Sequence, residues 1–487
     1  MYRLGVKLKD IIKFGINALS NIVNGSANAI FALVLPPLLL HKMQLDEYSL
    51  WSYCLQTGAL IGYLNLGVQT AVGRYVALYT QENNKIKVIK TIKIANSLLY
   101  KMFVLGVIVS ITLGFFINDL IKIDNTLLRE RASIVVFIVS LGYTVSLLTN
   151  SYFGYFIGIR KNHIPMWLNL ISKIILGVAI VAIAKHGVIF MSFIFLIVNL
   201  VTVLCLIIYW KKTFSIKNKL SDVLLGDRGP FVRFCLSLAV WNLGMLLVSG
   251  MNTSIVGYFS FRDVAYFTIA NGLVMALVGF LSSGLNPLIQ VFTGFHVNKN
   301  KSKLAVTIVF VTRLVTILML LSFIMYHFLR DDLLSLWLSK EYRNPVGDFI
   351  NLLIIGACIR SMNIPYALAL IATNNQSKAL YGALFEGVVN ITLAILFCWK
   401  YGVYSIAYAM IISSIIATLY NVFINMRYTF DDIPIYKMNL ISFEIVFFII
   451  VIISYYISQS VSYSISVLAL FYSLYSLFKF FVDEKHE

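Results

Sequence analysis

The chain has 487 residues, of which 60% are hydrophobic and only 12% are charged. Soluble domains carry about 25% charged residues, so this composition, with a mean hydropathy of +0.86, excludes an ordinary soluble protein. The formal net charge is +18, but the basic residues lie in short loops between apolar runs. They indicate membrane topology and contact with anionic lipid headgroups, and they argue against nucleic acid as a partner.

The apolar runs are about 20 residues long, which is the length of a transmembrane helix and twice that of a barrel strand. The sequence therefore predicts an all-α polytopic membrane protein with about fourteen helices. The predicted helices are 13–40, 48–79, 93–118, 132–158, 164–185, 187–210, 231–260, 264–294, 303–329, 346–374, 377–399, 402–427, 437–458 and 461–482. Pro36, Pro37, Pro287 and Pro365 fall inside or near the ends of three of them, where a proline kinks the helix.

The chain also repeats itself, because a shift of about 215 residues superimposes several landmarks of its two halves. DEYSLW at 46–51 meets RDVAYF at 262–267, and KHG at 185–187 meets KYG at 400–402. Two pseudo-symmetric six-helix bundles follow, with the axis along the membrane normal and a central cavity between them. The predicted domains are an N-terminal bundle (1–210), a cytoplasmic linker (211–230), a C-terminal bundle (231–427) and helices 13 and 14 (428–487).

Basic residues predict which side of the membrane each loop occupies. The linker and the loops at 85–93 and 299–303 are rich in lysine, whereas the loops at 119–131 and 330–348 are balanced in charge. The first set is therefore expected in the cytoplasm and the second set outside. With an even number of helices, both termini are expected in the cytoplasm.

Charged side chains inside the spans are the candidate functional residues, because each costs at least ~2.5 kcal/mol in a membrane helix. They are Lys101, Lys173, Arg313, Arg360 and Glu386. At about 1.5 Å per residue, all five lie between the middle of the membrane and its inner interface. That shared depth suits a cavity open to the cytoplasm. An alternative for Lys101, and for Arg74 on helix two, is that the long side chain reaches the lipid interface and does not line the cavity.

Two further patterns add polar groups to the predicted cavity. Lys173 and Glu386 occupy equivalent positions of the two repeats, so they are expected to pair across the axis, either functionally or as a tie between the bundles. A stripe of amides on helix one has the spacing of a single helical face, and Asn242 on helix seven extends it. The stripe consists of Asn17, Asn21, Asn24 and Asn28. It either lines water or holds helices together.

Sequence signatures of catalysis are missing from the chain. There is no GxxxxGK[ST] nucleotide motif, no HExxH metal motif and no evident Ser-His-Asp grouping. The five cysteines lie in apolar runs without metal-ligand spacing. We therefore expect a transporter without a cofactor or a metal, and not an enzyme.

Two local stretches carry a family resemblance: LNLGVQTAVGRYVALY at 64–79 and DVAYFTIANGL at 263–273. With the six-plus-six arrangement and the two extra helices, the chain resembles the polysaccharide-transport (Wzx-like) flippases of the multidrug/oligosaccharidyl-lipid/polysaccharide exporter (MOP) superfamily. This family usually has an acidic residue where Asn65 stands, and the departure weakens the case for cation coupling at that position.

The resemblance implies a MATE-like fold and a multi-pass protein of the bacterial cytoplasmic membrane. The implied activity is alternating-access movement of undecaprenyl-diphosphate-linked repeat units to the outer leaflet, for O-antigen, lipopolysaccharide or capsule biosynthesis. Arg313 and Arg360, helped by Lys173, are expected to hold the diphosphate, because arginine binds phosphate with two parallel hydrogen bonds. Glu386 is expected to pair or to link transport to protons. A sodium ion, a polymerase and a chain-length regulator are further candidate partners.

Three alternatives stay open at this point. A lipid II flippase also has fourteen helices and a cationic cavity. A multidrug exporter of the same superfamily is expected to carry more acidic than basic groups inside, whereas this chain has the opposite. An integral-membrane polysaccharide polymerase is expected to have a large outside loop, and no predicted outside loop exceeds about 20 residues.

Overall fold

The computed structural model describes residues 31–213, 228–373 and 375–423, with a few residues between 464 and 475. These residues are almost entirely helical and contain no β-strand, which confirms the all-α class. Nine of the described helices are long and apolar enough to cross a membrane. Most of helices 13 and 14 lies outside the described residues.

The chain divides into two compact units, Met1–Thr268 and Ile269–Glu487. The helices of the first unit are α1 (Phe31–Leu40), α2 (Leu45–Ala59), α3 (Val68–Gln81), α4 (Lys85–Leu120), α5 (Thr126–Ser146), α6 (Asn150–Gly158), α7 (His163–Ile183), α8 (Val188–Thr213), α9 (Arg228–Met245) and α10 (Asn252–Phe259). The predicted second bundle starts at residue 231, yet α9 and α10 fall in the first unit. The division into repeats at the linker stays a prediction.

α11 (Asp263–Leu285) begins in the first unit and continues in the second. The remaining helices of the second unit are α12 (Leu288–Val297), α13 (Lys301–Phe328), α14 (Arg330–Trp337), α15 (Lys340–Ser361), α16 (Ile364–Ala372), α17 (Gln376–Tyr401) and α18 (Ile406–Phe423). The predicted helices 2 to 12 each correspond to one of these helices or to a pair in series. Hydropathy finds them because a membrane span must satisfy its backbone hydrogen bonds internally.

Apolar packing holds each unit together. In the first unit α3 packs on α4 and α6, and α5 packs on α4 and α8. Val72, Ile92 and Phe156 are fully or almost fully buried in this core. In the second unit α18 packs on α15 and α17, while α13 packs on α15. The stacked rings of Phe349 and Tyr404, 4.2 Å apart, close one end of that helix layer.

Several spans are interrupted, and the sequence explains where. Pro287 separates α11 from α12, and Pro365 is the second residue of α16. A proline has no N–H and its ring clashes with the carbonyl four residues earlier, so α15 ends at Ser361, four residues before Pro365. The interruptions predicted at these two prolines are confirmed, whereas Pro36 and Pro37 lie within the uninterrupted helix α1. Asn286 and Asn363, which precede these prolines, therefore lie in turns between helices inside the second unit.

Candidate functional site

Arg360 and Glu386 form an ion pair inside the second unit. Nη2 of Arg360, on the last turn of α15, lies 3.8 Å from Oε1 of Glu386 on α17. The two side chains are 27% and 11% exposed. Oε1 of Glu386 has no hydrogen-bond partner among the described residues. A single ion pair at this distance compensates little of the free-energy cost of burying the Glu386 carboxylate. Arg360 can therefore exchange Glu386 for another anion at low cost.

The kink next to Arg360 adds a small network of amides and hydroxyls. The N–H of Asn363 bonds to the carbonyl of Arg360 at 3.0 Å instead of the carbonyl of Ile359. The hydroxyl of Thr418 on α18 lies 3.5 Å from that Ile359 carbonyl and 2.8 Å from its nearer acceptor, the carbonyl of Ser414. Nδ2 of Asn363 donates to Oγ1 of Thr418 at 2.8 Å. The kink is therefore tied to α18 by polar contacts.

Two more amides lie on the neighbouring helices α18 and α17. Nδ2 of Asn421 donates to Oδ1 of Asn363 at 3.4 Å. Asn390, fully buried on α17 one turn after Glu386, accepts from the hydroxyl of Ser413 at 3.3 Å. The sequence patterns above did not single out these side chains. Two signals point to them: amides are rare within apolar runs, and Glu386 and Asn390 are four residues apart on one helix face.

Arg313 is the most deeply buried of the predicted cations. It lies in the middle of α13 in the second unit and is only 3% exposed. Its neighbours Thr312 and Thr316 are also buried, and their hydroxyls bond to carbonyls of the same helix. The described part of the second unit therefore places Arg313, Arg360 and Glu386 inside its apolar spans.

In the first unit, two irregular helix segments are joined by amides. The helix of α2 continues as a 3₁₀ turn, Leu60–Asn65, and is then broken by left-handed φ values of 51° at Leu66 and 68° at Gly67. Oδ1 of Asn65 accepts from the N–H of Gly67 at 2.8 Å and from Nδ2 of Asn242 at 3.2 Å. Asn242 lies on α9, just before a π-helical segment, Leu246–Gly250. The amide pair links the two interruptions.

No protein-family model and no curated protein sequence matches this chain, whereas solved structures match it over most of its length. A lipid II flippase, MurJ, in an inward-closed conformation superposes with a TM-score of 0.67 and 14% identity, covering 98% of this chain and 100% of that one. An inward-facing MATE-family multidrug resistance transporter of the MOP superfamily gives 0.63 and 16%, covering 85% and 96%. A MOP-superfamily transporter from Pyrococcus furiosus gives 0.56 and 15%, covering 87% and 96%.

The chain has the MOP-superfamily fold. This confirms the predicted fold class. Sequence identities of 14% to 16% are evidence of a shared fold and not of a shared substrate. The Wzx-like branch, the substrate and the coupling ion stay predictions.

Within this MOP fold, the predicted cations of the first unit are less enclosed than Arg313. Arg74 is exposed on α3, with its guanidinium 4.7 Å from the centre of the Phe234 ring. Lys101 is exposed on α4, on the same face as the exposed Leu105 and Ile108. An exposed apolar face of a membrane helix is typical of lipid contact, so the position of Lys101 favours the interface alternative.

Lys173 is half-buried on α7, between the exposed Ile171 and Ile174. The repeat pattern predicts Glu386 as its partner, and that contact stays a prediction. The structure shows Arg360 as an ion-pair partner of Glu386. The amide stripe lies outside the described residues; it comprises Asn17, Asn21, Asn24 and Asn28. The structure thus brings together Arg360 with Glu386, and Asn242 with Asn65. The assembly of all the predicted residues around one cavity stays a prediction.

Proposed function

We propose that the chain is a flippase that carries undecaprenyl-diphosphate-linked oligosaccharide repeat units across the bacterial cytoplasmic membrane by alternating access, and that it is not an enzyme. The observation that carries the proposal is the Arg360–Glu386 pair. The guanidinium of Arg360 makes no hydrogen bond with the described residues and contacts one carboxylate at 3.8 Å. Its donors are thus open to a diphosphate, which accepts bidentate hydrogen bonds from arginine.

The surrounding polar groups support the same substrate class. A lipid-linked glycan combines a negative diphosphate with sugar hydroxyls. Asn363 supplies an amide three residues after Arg360, and Asn421 contacts that amide. Arg313 supplies a second buried cation in the same unit. The lipid tail has no need of a protein cavity, because it can stay in the bilayer between helices. We further propose that the repeat units serve O-antigen or lipopolysaccharide biosynthesis. Both termini of the chain are proposed to lie in the cytoplasm.

Glu386 is the proposed coupling group. When the diphosphate binds Arg360, the carboxylate loses its partner and becomes the natural acceptor of a proton. When the substrate leaves, the ion pair forms again. A proton is therefore the favoured coupling ion, with sodium as the alternative, and a polymerase and a chain-length regulator are the proposed downstream partners.

Complementation of a strain that lacks its repeat-unit flippase tests the proposal. Arg360→Ala and Arg313→Ala, singly and together, are expected to reduce surface polysaccharide by about tenfold or more while lipid-linked units accumulate facing the cytoplasm. Arg343→Ala is the matched control. Arg343 lies at the other end of α15 and, within the described part of the chain, its side chain bonds only to the carbonyls of Leu338 and Ser335. Full restoration by the double variant at native expression contradicts the assignment.

A lipid II flippase is the second candidate, since the MurJ structure covers 98% of this chain. Rescue of cells depleted of their own lipid II flippase favours it over the first candidate. A multidrug exporter is disfavoured by the excess of arginine over glutamate among the described charges inside the second unit, since cationic drugs need acidic partners.

A further inference from the structure

A polar cavity of about 480 Å³ opens at one end of the first unit. It lies between the turn that joins α1 to α2 and the start of α5. Its lining includes Lys42, Asp46, Glu47, Leu127, Leu128 and Arg131. α4 separates this end from the lysine-rich loop at residue 85 by 36 residues, which is about 54 Å of helix. If the lysine-rich loops are cytoplasmic, this cavity faces the outside.

Two of the lining side chains are part of the framework. Nζ of Lys42 donates to the carbonyl of Val181 at 2.9 Å. Oδ1 of Asn125 accepts from the N–H of Leu128 at 3.2 Å and caps the start of α5. These bonds fix the shape of the rim, so the cavity is a formed feature of the unit.

The other charged side chains have hydrogen-bonding capacity left over. Asp46, Glu47 and Arg131 make no hydrogen bond and no ion pair within the described part of the chain, although charges of both signs line the same cavity. Asp46 and Glu47 lie in the first turn of α2, where a negative charge is favoured by the helix dipole. That interaction uses none of their acceptor positions, so the carboxylates remain available to a ligand.

The chemistry of the lining selects a class of ligand. Lys42 and Arg131 balance Asp46 and Glu47, so the wall is formally neutral and has no preference for a diphosphate. Its carboxylates accept and its guanidinium donates hydrogen bonds in planar, two-point geometry. A ring of vicinal hydroxyls offers matching donors and acceptors, and Leu127 and Leu128 offer an apolar edge. The volume lies within the range of about 300–1,000 Å³ that is usual for small-molecule sites.

We propose that this cavity, the α2/α5 cavity, binds a neutral sugar of the repeat unit on the outer side of the membrane. The inference rests on the proposed function and adds a second contact point, separate from the diphosphate site. The cavity holds the glycan as the headgroup leaves, which favours release toward the outside over return to the inner leaflet.

Calorimetric titration of the purified full-length chain in nanodiscs tests this site. The probes are the free oligosaccharide released by mild acid from the native cell's lipid-linked repeat unit, and inorganic pyrophosphate. The double variant Asp46→Asn, Arg131→Gln is expected to bind the oligosaccharide at least about tenfold more weakly and to bind pyrophosphate as the wild type does, which also shows that it is folded. Asp119→Asn is the control, because Asp119 is exposed near the same end of α4 and lies outside the lining.

The outcomes separate this inference from the proposed function. If wild-type chain binds pyrophosphate but not the oligosaccharide, or if the double variant binds the oligosaccharide normally, the sugar site is wrong and the flippase proposal stands. If the wild type binds neither probe, both fail. Displacement of the oligosaccharide by glycerophosphoethanolamine at equal concentration identifies a zwitterionic lipid headgroup as the occupant and overturns the sugar assignment.

Discussion

Glu386 is the ion-pair partner of Arg360 within the second unit, at 3.8 Å, from a helix that begins after the α15–α16 kink. The pair joins the end of α15 to α17 at the place where Pro365 interrupts the α15–α16 span. An anion that binds Arg360 must compete with Glu386, so substrate binding and the contact between these two helices are linked.

Removing the competing carboxylate is expected to strengthen anion binding. Glu386→Gln keeps the size of the side chain and removes its charge, so pyrophosphate should bind about tenfold more tightly, equivalent to about 1.4 kcal/mol. Transport should fall, because the group that displaces the substrate is lost. Titration calorimetry and the complementation assay measure the two effects. Weaker pyrophosphate binding would falsify the competition between Glu386 and the anion.

A second prediction concerns the stability of the pair. Arg360→Ala leaves the carboxylate of Glu386 buried without its cation and is expected to lower the free energy of unfolding by about 2 kcal/mol. That value is below the range for fully buried pairs, because the arginine is 27% exposed. The double variant Arg360→Ala, Glu386→Ala should recover part of this loss. Thermal unfolding in detergent measures all variants, and strict additivity of the two single changes argues against the pair.

Gly67 is expected to be irreplaceable by alanine. Its φ is 68°, and an added Cβ would lie 2.4 Å from Cβ of Leu238. Gly67→Ala should therefore destabilise the chain by about 2 kcal/mol or more, from backbone strain and steric overlap together. Gly62→Ala in the preceding 3₁₀ turn is the matched control, because nothing lies within 4 Å of its added Cβ. Similar unfolding temperatures for the two variants count against this account of the helix break.

Position 65 is expected to tolerate aspartate better than leucine in place of Asn65. Its Oδ1 only accepts hydrogen bonds, from the N–H of Gly67 and from Nδ2 of Asn242. A carboxylate can accept both bonds, which offset part of the cost of a charge inside a span, so Asn65→Asp should lose less stability than Asn65→Leu. Asn65→Leu leaves both donors without an acceptor and should cost about 2 kcal/mol. Equal loss of stability in the two variants means that the hydrogen bonds are not what holds the segment.

Local features of the amino-acid sequence specify the helices of this chain. Apolar runs of span length, lysine-rich loops and the two prolines predicted most of the helices and the kinks at Pro287 and Pro365. These features are local, because a membrane helix satisfies its own hydrogen bonds and a proline acts on its own turn. The all-α class followed from the same local signals, whereas the MOP fold was implied by the family resemblance.

Tertiary structure decided which polar groups meet. Arg360 and Glu386 are on different helices, and their contact depends on how those helices are rotated and packed, which spacing along the chain does not specify. The repeat pattern pointed to Lys173 as the partner of Glu386 because it compares positions along the helices and not the directions of their side chains. α9 begins the predicted second repeat, yet it packs within the first unit through Asn242 and Asn65. Which side chains meet between two helices depends on how those helices pack. The sequence pattern gives only the residues on each face of a helix.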